Sequence, residues 1–335
     1  MFTKIYGKVK NFIKENYKWL IALAIVYLVF TIELPYAIYS PGGAVNLNDR
    51  VTVEDGYDVD GSFNMAYVSM VKGSIPFLLV SKIIPDWDIV KKDDIKLSDE
   101  NMDEMIARER LYLEESMNAA VINAYKYAGK NINITSTHNN VSYIAESAKT
   151  DLKIGDDIIS VNGIKISSLG ELKNIVGELA EGEKVNLKIK RDDKERDAYA
   201  TTFNTNDGMK IGVSIVNTFE YETEKQANIK SKASEMGSSG GLMMSLTVYN
   251  KLVEEDITKG KKIVGTGTID INGNVGEIGG VKYKLIGAVK NKAEAFICPK
   301  ENYAEAVKVA EERNYEIKII GVGTFEEAIQ ELKSM

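Results

Sequence analysis

The apolar and polar positions divide the chain into three regimes. The first is N-terminal. Lys4, Lys8, Lys10, Lys14 and Lys18 face a single Glu15 in the opening residues, and Trp19 to Ile32 then carries no charge. Extended to Tyr39, this stretch approaches the ~20 residues of a membrane-spanning helix. Trp19 and Tyr36 stand where interfacial anchors stand, and the lysines mark the cytoplasmic side. Glu33-Leu34-Pro35-Tyr36 after the run contains no small-x-small cleavage site. The pattern therefore predicts an uncleaved signal anchor over 19–39 in preference to a cleaved signal peptide. Residues 1–18 form its cytoplasmic tail, and the body of the chain lies outside the cell.

The second regime mixes strands and helices. Ser40-Pro41-Gly42-Gly43 reads as a turn. Val51–Val53 and Phe63–Val71 read as strands. Ser74-Ile75-Pro76 opens a short helix over Phe77–Ile84, placed in the core in preference to a membrane surface. Asp93–Glu104 reads as an acidic loop leading to a helix over Met102–Ala128 that stops at Gly129. From 131 to 205 the pattern becomes β-rich. Val141–Ala145 reads as a strand, Asn162-Gly163 makes a tight hairpin, and Ser168 caps a helix over Leu169–Leu179. Lys184–Lys190 and Ala198–Phe203 are further strands.

The third regime, 206–335, alternates strands and helices. Strands are predicted at 211–216, 263–271, 275–278, 294–298 and 315–320. Helices are predicted at 242–252, from Val281, and at about 302–312 and 324–334.

Composition narrows the chemistry. The net charge of −7 gives no footprint for nucleic acid. The single cysteine, Cys298, excludes an intrachain disulfide and reads as a buried strand residue. With one histidine, His138, a two-histidine zinc site is excluded, and that histidine is expected in a solvated loop. No Gly-x-x-x-x-Gly-Lys-Ser/Thr run is present, so no ATP site is expected.

A serine nucleophile without a usable histidine needs another base. Gly237-Ser238-Ser239-Gly240-Gly241 places two hydroxyls at the start of an apolar helix, where free N–H groups can hold an oxyanion. A neutral lysine is the remaining base. Its pKa of ~10.4 must fall by about three units, roughly 4 kcal/mol of environmental pressure. Lys282, after Gly279-Gly280 at a helix start, fits that description.

These segments together resemble the proteolytic domain of the Lon family. The nucleophile turn is followed in order by Gly265-Thr266-Gly267-Thr268, Gly276-Glu277-Ile278-Gly279-Gly280-Val281-Lys282 and Ile297-Cys298-Pro299. The resemblance makes Ser239 the nucleophile, Lys282 the base and Thr266 an orienting residue. Ser238 falls on the family's proline, and Met236 stands where many members carry an acid. Leu113–Ala128 resembles the domain's early helix. Lys153–Gly163 resembles a PDZ core without the usual carboxylate-binding loop; Asn139-Asn140-Val141-Ser142 stands nearest.

The whole resembles membrane-anchored PDZ–Lon-like serine proteases of Gram-positive bacteria. The expected fold is α+β, with a single N-terminal transmembrane helix. A Lon-type α/β proteolytic domain carries the β-rich PDZ module (131–205) as an insertion between 40–130 and 206–335. The expected activity is ATP-independent endopeptidase cleavage of extracytoplasmic peptides or small membrane proteins by Ser239 and Lys282. Thr266, Gly237, Ser238 and Gly240 support them, with no metal and no cofactor. The expected partners are a peptide or protein substrate and the cytoplasmic membrane, with oligomerisation left open. The rival readings are a non-catalytic PDZ adaptor on a protease fold, and esterase or acyl-transfer use of the same dyad.

Overall fold

The computed structural model describes residues 2–97 and 100–335. The expected acidic loop at 93–104 therefore lies partly outside the described residues. The chain divides into two compact units, one comprising the residues up to Pro41 with Val68–Ile95, the other Gly42–Tyr67 with Lys96–Met335.

In the first unit, helix α1 covers Phe2–Thr31. Pro35 biases Leu34 towards an extended backbone, and strand β1 (Tyr36–Asn46) follows. The helix expected to continue to Tyr39 thus ends at Thr31, and Ser40–Gly43 is strand where a turn was expected. Among the described residues, no helix is long and apolar enough to cross a membrane. The charge-free run Trp19–Ile32 would span only about 21 Å as a helix, against ~30 Å of bilayer hydrocarbon. Its apolar side chains are nonetheless exposed, Trp19 at 75%.

After β2 (Val51–Val53) and β3 (Ser62–Lys72) comes helix α2, Ile75–Ser81, with its proline in the first turn. It packs on α1. Strand β4, Asp88–Lys91, pairs antiparallel with β1. Leu79 and the following Ile83 are 61% and 81% exposed, so this segment is not the core element the sequence suggested.

The second unit holds the candidate site. Helix α3 (Met102–Tyr127) begins with a capping box between Asn101 and Glu104 and ends before Gly129 at positive φ. The long strand β5, Ile132–Ile144, leads into β6 (Lys149–Thr150), β7 (Asp157–Val161), β8 (Ile164–Lys165) and helix α4 (Leu169–Gly177), capped by Ser168. Strands β9 (Lys184–Arg191), β10 (Lys194–Thr201), β11 (Phe203–Thr205) and β12 (Gly208–Lys210) follow. Strand β13, Val213–Thr223, returns along almost all of β5. Residues 132–140 and 217–223 of this ribbon alternate polar with apolar side chains too weakly to read as strand from sequence.

The remaining elements are β14 (Ala227–Ile229), α5 (Gly241–Leu252), β15 (Lys262–Gly265), β16 (Thr268–Ile269), β17 (Val275–Gly276) and α6 (Val281–Lys290). Then come β18 (Ala295–Pro299), α7 (Lys300–Glu312), β19 (Lys318–Val322) and α8 (Phe325–Lys333). The strand expected over 263–271 is broken at Thr266-Gly267, where the backbone turns to meet the nucleophile segment.

Strands β19, β18, β15 and β3 lie side by side and parallel. Successive residues point to opposite faces, so each strand feeds two cores. Ile263, Ile297 and Ile320 pack with α3, α5 and α8. Val264, Phe296 and Cys298 pack with α6 and α7. Cys298 is fully buried, as expected, and burial pushes its thiol up to about 12. A separate core gathers Val141, Ile158, Leu172, Val176, Leu187 and their neighbours between 141 and 215.

Candidate active site

The Gly237–Gly241 turn is held from three sides. Gly237 adopts φ 84°, a left-handed backbone that suits glycine, and its N–H donates to Glu109 O at 2.9 Å. Ser116 Oγ on α3 donates to Ser238 O at 2.9 Å. Gly267 N–H and Thr266 Oγ1 both donate to Ser239 O, at 2.8 and 2.9 Å. The chain then enters α5, whose residues are nearly all buried, as its apolar run predicts. Gly240 is required by space: a Cβ there would stand 2.1 Å from Met65 Sδ. Among the described residues, no acceptor takes the N–H of Ser238, Ser239 or Gly240. These donors, at the positive end of α5, are free to receive an oxyanion.

The lysine facing this turn is Lys284. Helix α6 starts from Gly280 in the left-handed region (φ 70°, ψ 35°), behind a loop pinned by Asn302, which exchanges two hydrogen bonds with Ile278. Val281, Lys284 and Ala288 then share the buried face of the helix. Lys284 Nζ donates to Thr266 Oγ1 at 3.1 Å, and Thr266 is fully buried. Burial lowers the Lys284 ammonium from its ordinary value to about 8. Thr266 thus links Lys284 and the Gly237–Gly241 turn in one chain, from Lys284 Nζ through Thr266 Oγ1 to Ser239 O.

Lys282 is placed differently. It is half-buried, and its ammonium lies 5.2 Å from the Tyr283 ring. The sequence period does not separate the two lysines. Lys284 stands three residues after Val281 and four before Ala288, but Lys282 stands three and four before Leu285 and Ile286, so both lysines border apolar positions at helical spacing.

Acidic groups surround the turn on α3. Arg108 makes a bidentate pair with Glu100, at 2.7 and 2.9 Å, and a further bond to Glu109 at 2.5 Å. Glu109 Oε2 would lie 3.0 Å from a Cβ on Gly237. Glu115, beside Ser116, is pushed up to about 7 by burial and then by the Asp270 charge. None of these acids was singled out from sequence, because they sit far upstream of the turn.

His138 does not occupy the solvated loop expected of it. It lies on β5, with Nδ1 2.7 Å from Asp157 Oδ2 and Nε2 3.3 Å from Glu220 Oε1. Burial opposes its charge, but Asp157 and Glu220 outweigh that and raise its pKa. No group of histidine, cysteine and carboxylate side chains suited to a metal occurs among the described residues.

Residues 119–202 match the PDZ domain profile, and residues 229–334 match that of the Lon protease (S16) C-terminal proteolytic domain. Curated relatives include Lon protease of Campylobacter jejuni, 26% identical over 53% of this chain and 22% of its own length. Lon protease of Methanosarcina barkeri is 26% identical over 53% of this chain and 20% of its length. The chain thus spans about a fifth of these relatives. Among solved structures, the PDZ domain of an SdrC-like protein from Listeria monocytogenes aligns at 21% identity, covering 25% of this chain and 93% of that one, with a TM-score of 0.23.

Proposed function

We propose that this chain, which carries a PDZ domain and a Lon-type C-terminal proteolytic domain, is an ATP-independent serine endopeptidase with Ser239 as nucleophile and Lys284 as general base. The observation that carries this reading is the hydrogen-bonded chain from buried Lys284 through buried Thr266 to Ser239 O. Lys284 takes the place that the motif alone gave to Lys282.

Ser239 Oγ attacks the scissile carbonyl while neutral Lys284 accepts its proton. The oxyanion forms against the free N–H groups of the turn. As the C–N bond breaks, Lys284 returns the proton to the leaving amine. Water then attacks the acyl group on Ser239, again deprotonated by Lys284, and releases the acid. At pH 7 a lysine of pKa about 8 is neutral in about a tenth of molecules, enough to sustain turnover. Thr266 orients the base through its hydroxyl. Glycines 237 and 240 keep the turn in shape.

The two separate cores support a PDZ module carried as an insertion within the proteolytic domain. The sequence on both sides of it, α3 before and α5 after, shares one core. Membrane attachment rests on the basic start of α1 and on its exposed apolar half. Substrates on the outer face of the cytoplasmic membrane are the corresponding expectation.

The decisive test incubates purified chain with casein and extracellular peptides beside Ser239→Ala. Cleavage is expected to fall at least ~10³-fold in the variant. Undiminished cleavage would remove Ser239 from the mechanism. A second measurement addresses attachment: the chain should co-float with anionic vesicles, and a variant lacking residues 1–35 should remain in the soluble fraction while still cleaving peptide. Equal flotation of both would reject α1 as the anchor.

A further inference from the structure

PDZ modules take up ligand by strand addition, an extended peptide pairing with a free strand edge while alternate side chains fill pockets. The strand in question here is the second half of β5, with α4 across from it. Neither edge of that strand is free. On one side Asn140 pairs with Asp157 of β7. On the other, β13 runs antiparallel, with Val213 opposite Ile144, Ser214 opposite Tyr143, Ile215 opposite Val141 and Val216 opposite Asn140. Ala145 N–H extends the pairing to Gly212 O at 2.9 Å.

We infer that the segment Gly208–Val216 is a built-in ligand of the PDZ domain. It fills the peptide groove, so the module braces the protease and does not receive peptide C-termini. The segment behaves as a bound peptide does. Strand β12 packs on α4. Ile211 is buried in the PDZ core with Leu172 and Val176 of α4, and Met209, Val213 and Ile215 pack against the same core. These are alternate residues, the side-chain rhythm of an added strand. Gly212 makes the tight entry: its φ is 75°, and a Cβ would stand 2.7 Å from that of Ala148.

The place where a free C-terminal carboxylate would be received is also taken. Asn139 N–H donates to Asp157 Oδ1 at 2.7 Å, and Val141 N–H donates to Asp156 O at 2.8 Å. An internal carboxylate therefore already uses a donor that a peptide terminus would need. Asp157 and Glu220, with His138 between them, add negative charge there. Strand β13 does not stop at this point. It continues to Thr223, opposite Ile132, and Phe219 N–H donates to Asn118 Oδ1 on α3 at 2.8 Å. The self-bound strand is thus fastened to the helix whose Ser116 and Glu109 hold the nucleophile turn.

This inference rests on the PDZ assignment and not on the dyad, so its test reads binding as well as cleavage. Fluorescent peptides with free apolar C-termini are titrated into the full Ser239→Ala chain, which cannot consume them. No saturable binding is expected up to millimolar peptide. The double variant Tyr143→Cys with Ser214→Cys, placed on opposed residues, is then oxidised to lock the strand. Cleavage of a model substrate is expected to stay within twofold of the reduced form. Hydrogen exchange of the native chain supplies an independent measure, with the alternate amides of 213–216 that bond to β5 expected to be protected. Saturable peptide binding that the lock abolishes, a loss of cleavage on locking, or fast exchange at the β5-bonded amides of 213–216 would each overturn the inference.

Discussion

Replacing Lys284 with methionine is expected to abolish peptide cleavage and at the same time to stabilise the fold. The variant keeps the length and packing of the side chain but removes the base, so cleavage should fall at least ~10³-fold. The stability gain follows from burial. Lys284 is 4% exposed, and its pKa falls from 10.5 to about 8. The folded protein therefore holds this proton less tightly than the unfolded chain. Stability rises with pH between about 8 and 10.5, and below 8 the full penalty of the buried cation is present. At pH 7 that penalty is about 3 kcal/mol. Methionine removes it, so the variant should melt several degrees higher at pH 7 and lose the rise in stability towards pH 10.

The same value shapes the rate. Cleavage by the native chain should climb about tenfold per pH unit below 8 and level off above it. Lys282→Ala is the matched control: its side chain is half-buried beside Tyr283, so most activity should remain. If Lys282→Ala abolishes cleavage and Lys284→Met does not, the base is Lys282 and the Thr266 geometry has been misread. Melting curves and pH–rate profiles of the three proteins decide it.

The lysine exchange shows what the sequence could and could not reveal. The turn before α5 was legible because glycine, serine and an apolar helix lie contiguous from Gly237 to Leu252. Strand and helix alternation was legible for the same reason: period-2 and period-3.6 patterns are local. The motif Val281-Lys282-Tyr283-Lys284 offered two lysines, and both the local reading and the resemblance took Lys282 without asking which faces inward. The helical period does not answer that question, because both lysines border apolar positions; Lys284 is buried through its contact with Thr266 on a distant segment. Long-range pairing was not legible. Strands β5 and β13 are far apart in sequence, and their outer halves carry Asn, Thr, Ser and Glu, so nothing local announced a ribbon joining two cores. His138 was misplaced for the same reason, because its partners Asp157 and Glu220 are supplied by neighbouring strands. At the N-terminus, composition marked an apolar helix correctly but not its end, since residues 36–46 join a sheet.

The acidic support of the turn was equally invisible, and it carries the second large expected effect. Arg108→Ala should destabilise the protein by about 3–5 kcal/mol, because it strands a buried carboxylate. The Arg108 and Glu100 side chains are 8% and 1% exposed, and their pairing is bidentate. Burial raises the Glu100 pKa, but the Arg108 bonds and the Leu97 N–H outweigh it and hold the group below its usual range. A depressed carboxyl contributes stability above its unfolded pKa, and that contribution is lost as pH falls through the folded value. The native chain should therefore resist acid further than the variant, and the acid-unfolding midpoint should rise in Arg108→Ala. Activity should respond too. Arg108 also holds Glu109, whose carbonyl accepts the Gly237 N–H and whose carboxylate lies against that glycine. Freed, Glu109 lets the turn shift, and a misplaced nucleophile costs rate: kcat should fall about tenfold or more in the fraction that remains folded. The double variant Arg108→Met with Glu100→Leu separates the two effects. Apolar isosteres leave no stranded charge, so stability should recover, while Glu109 remains untethered and kcat stays low. Recovery of kcat together with stability would show that the ion pair supports only the fold and has no part in placing Ser239.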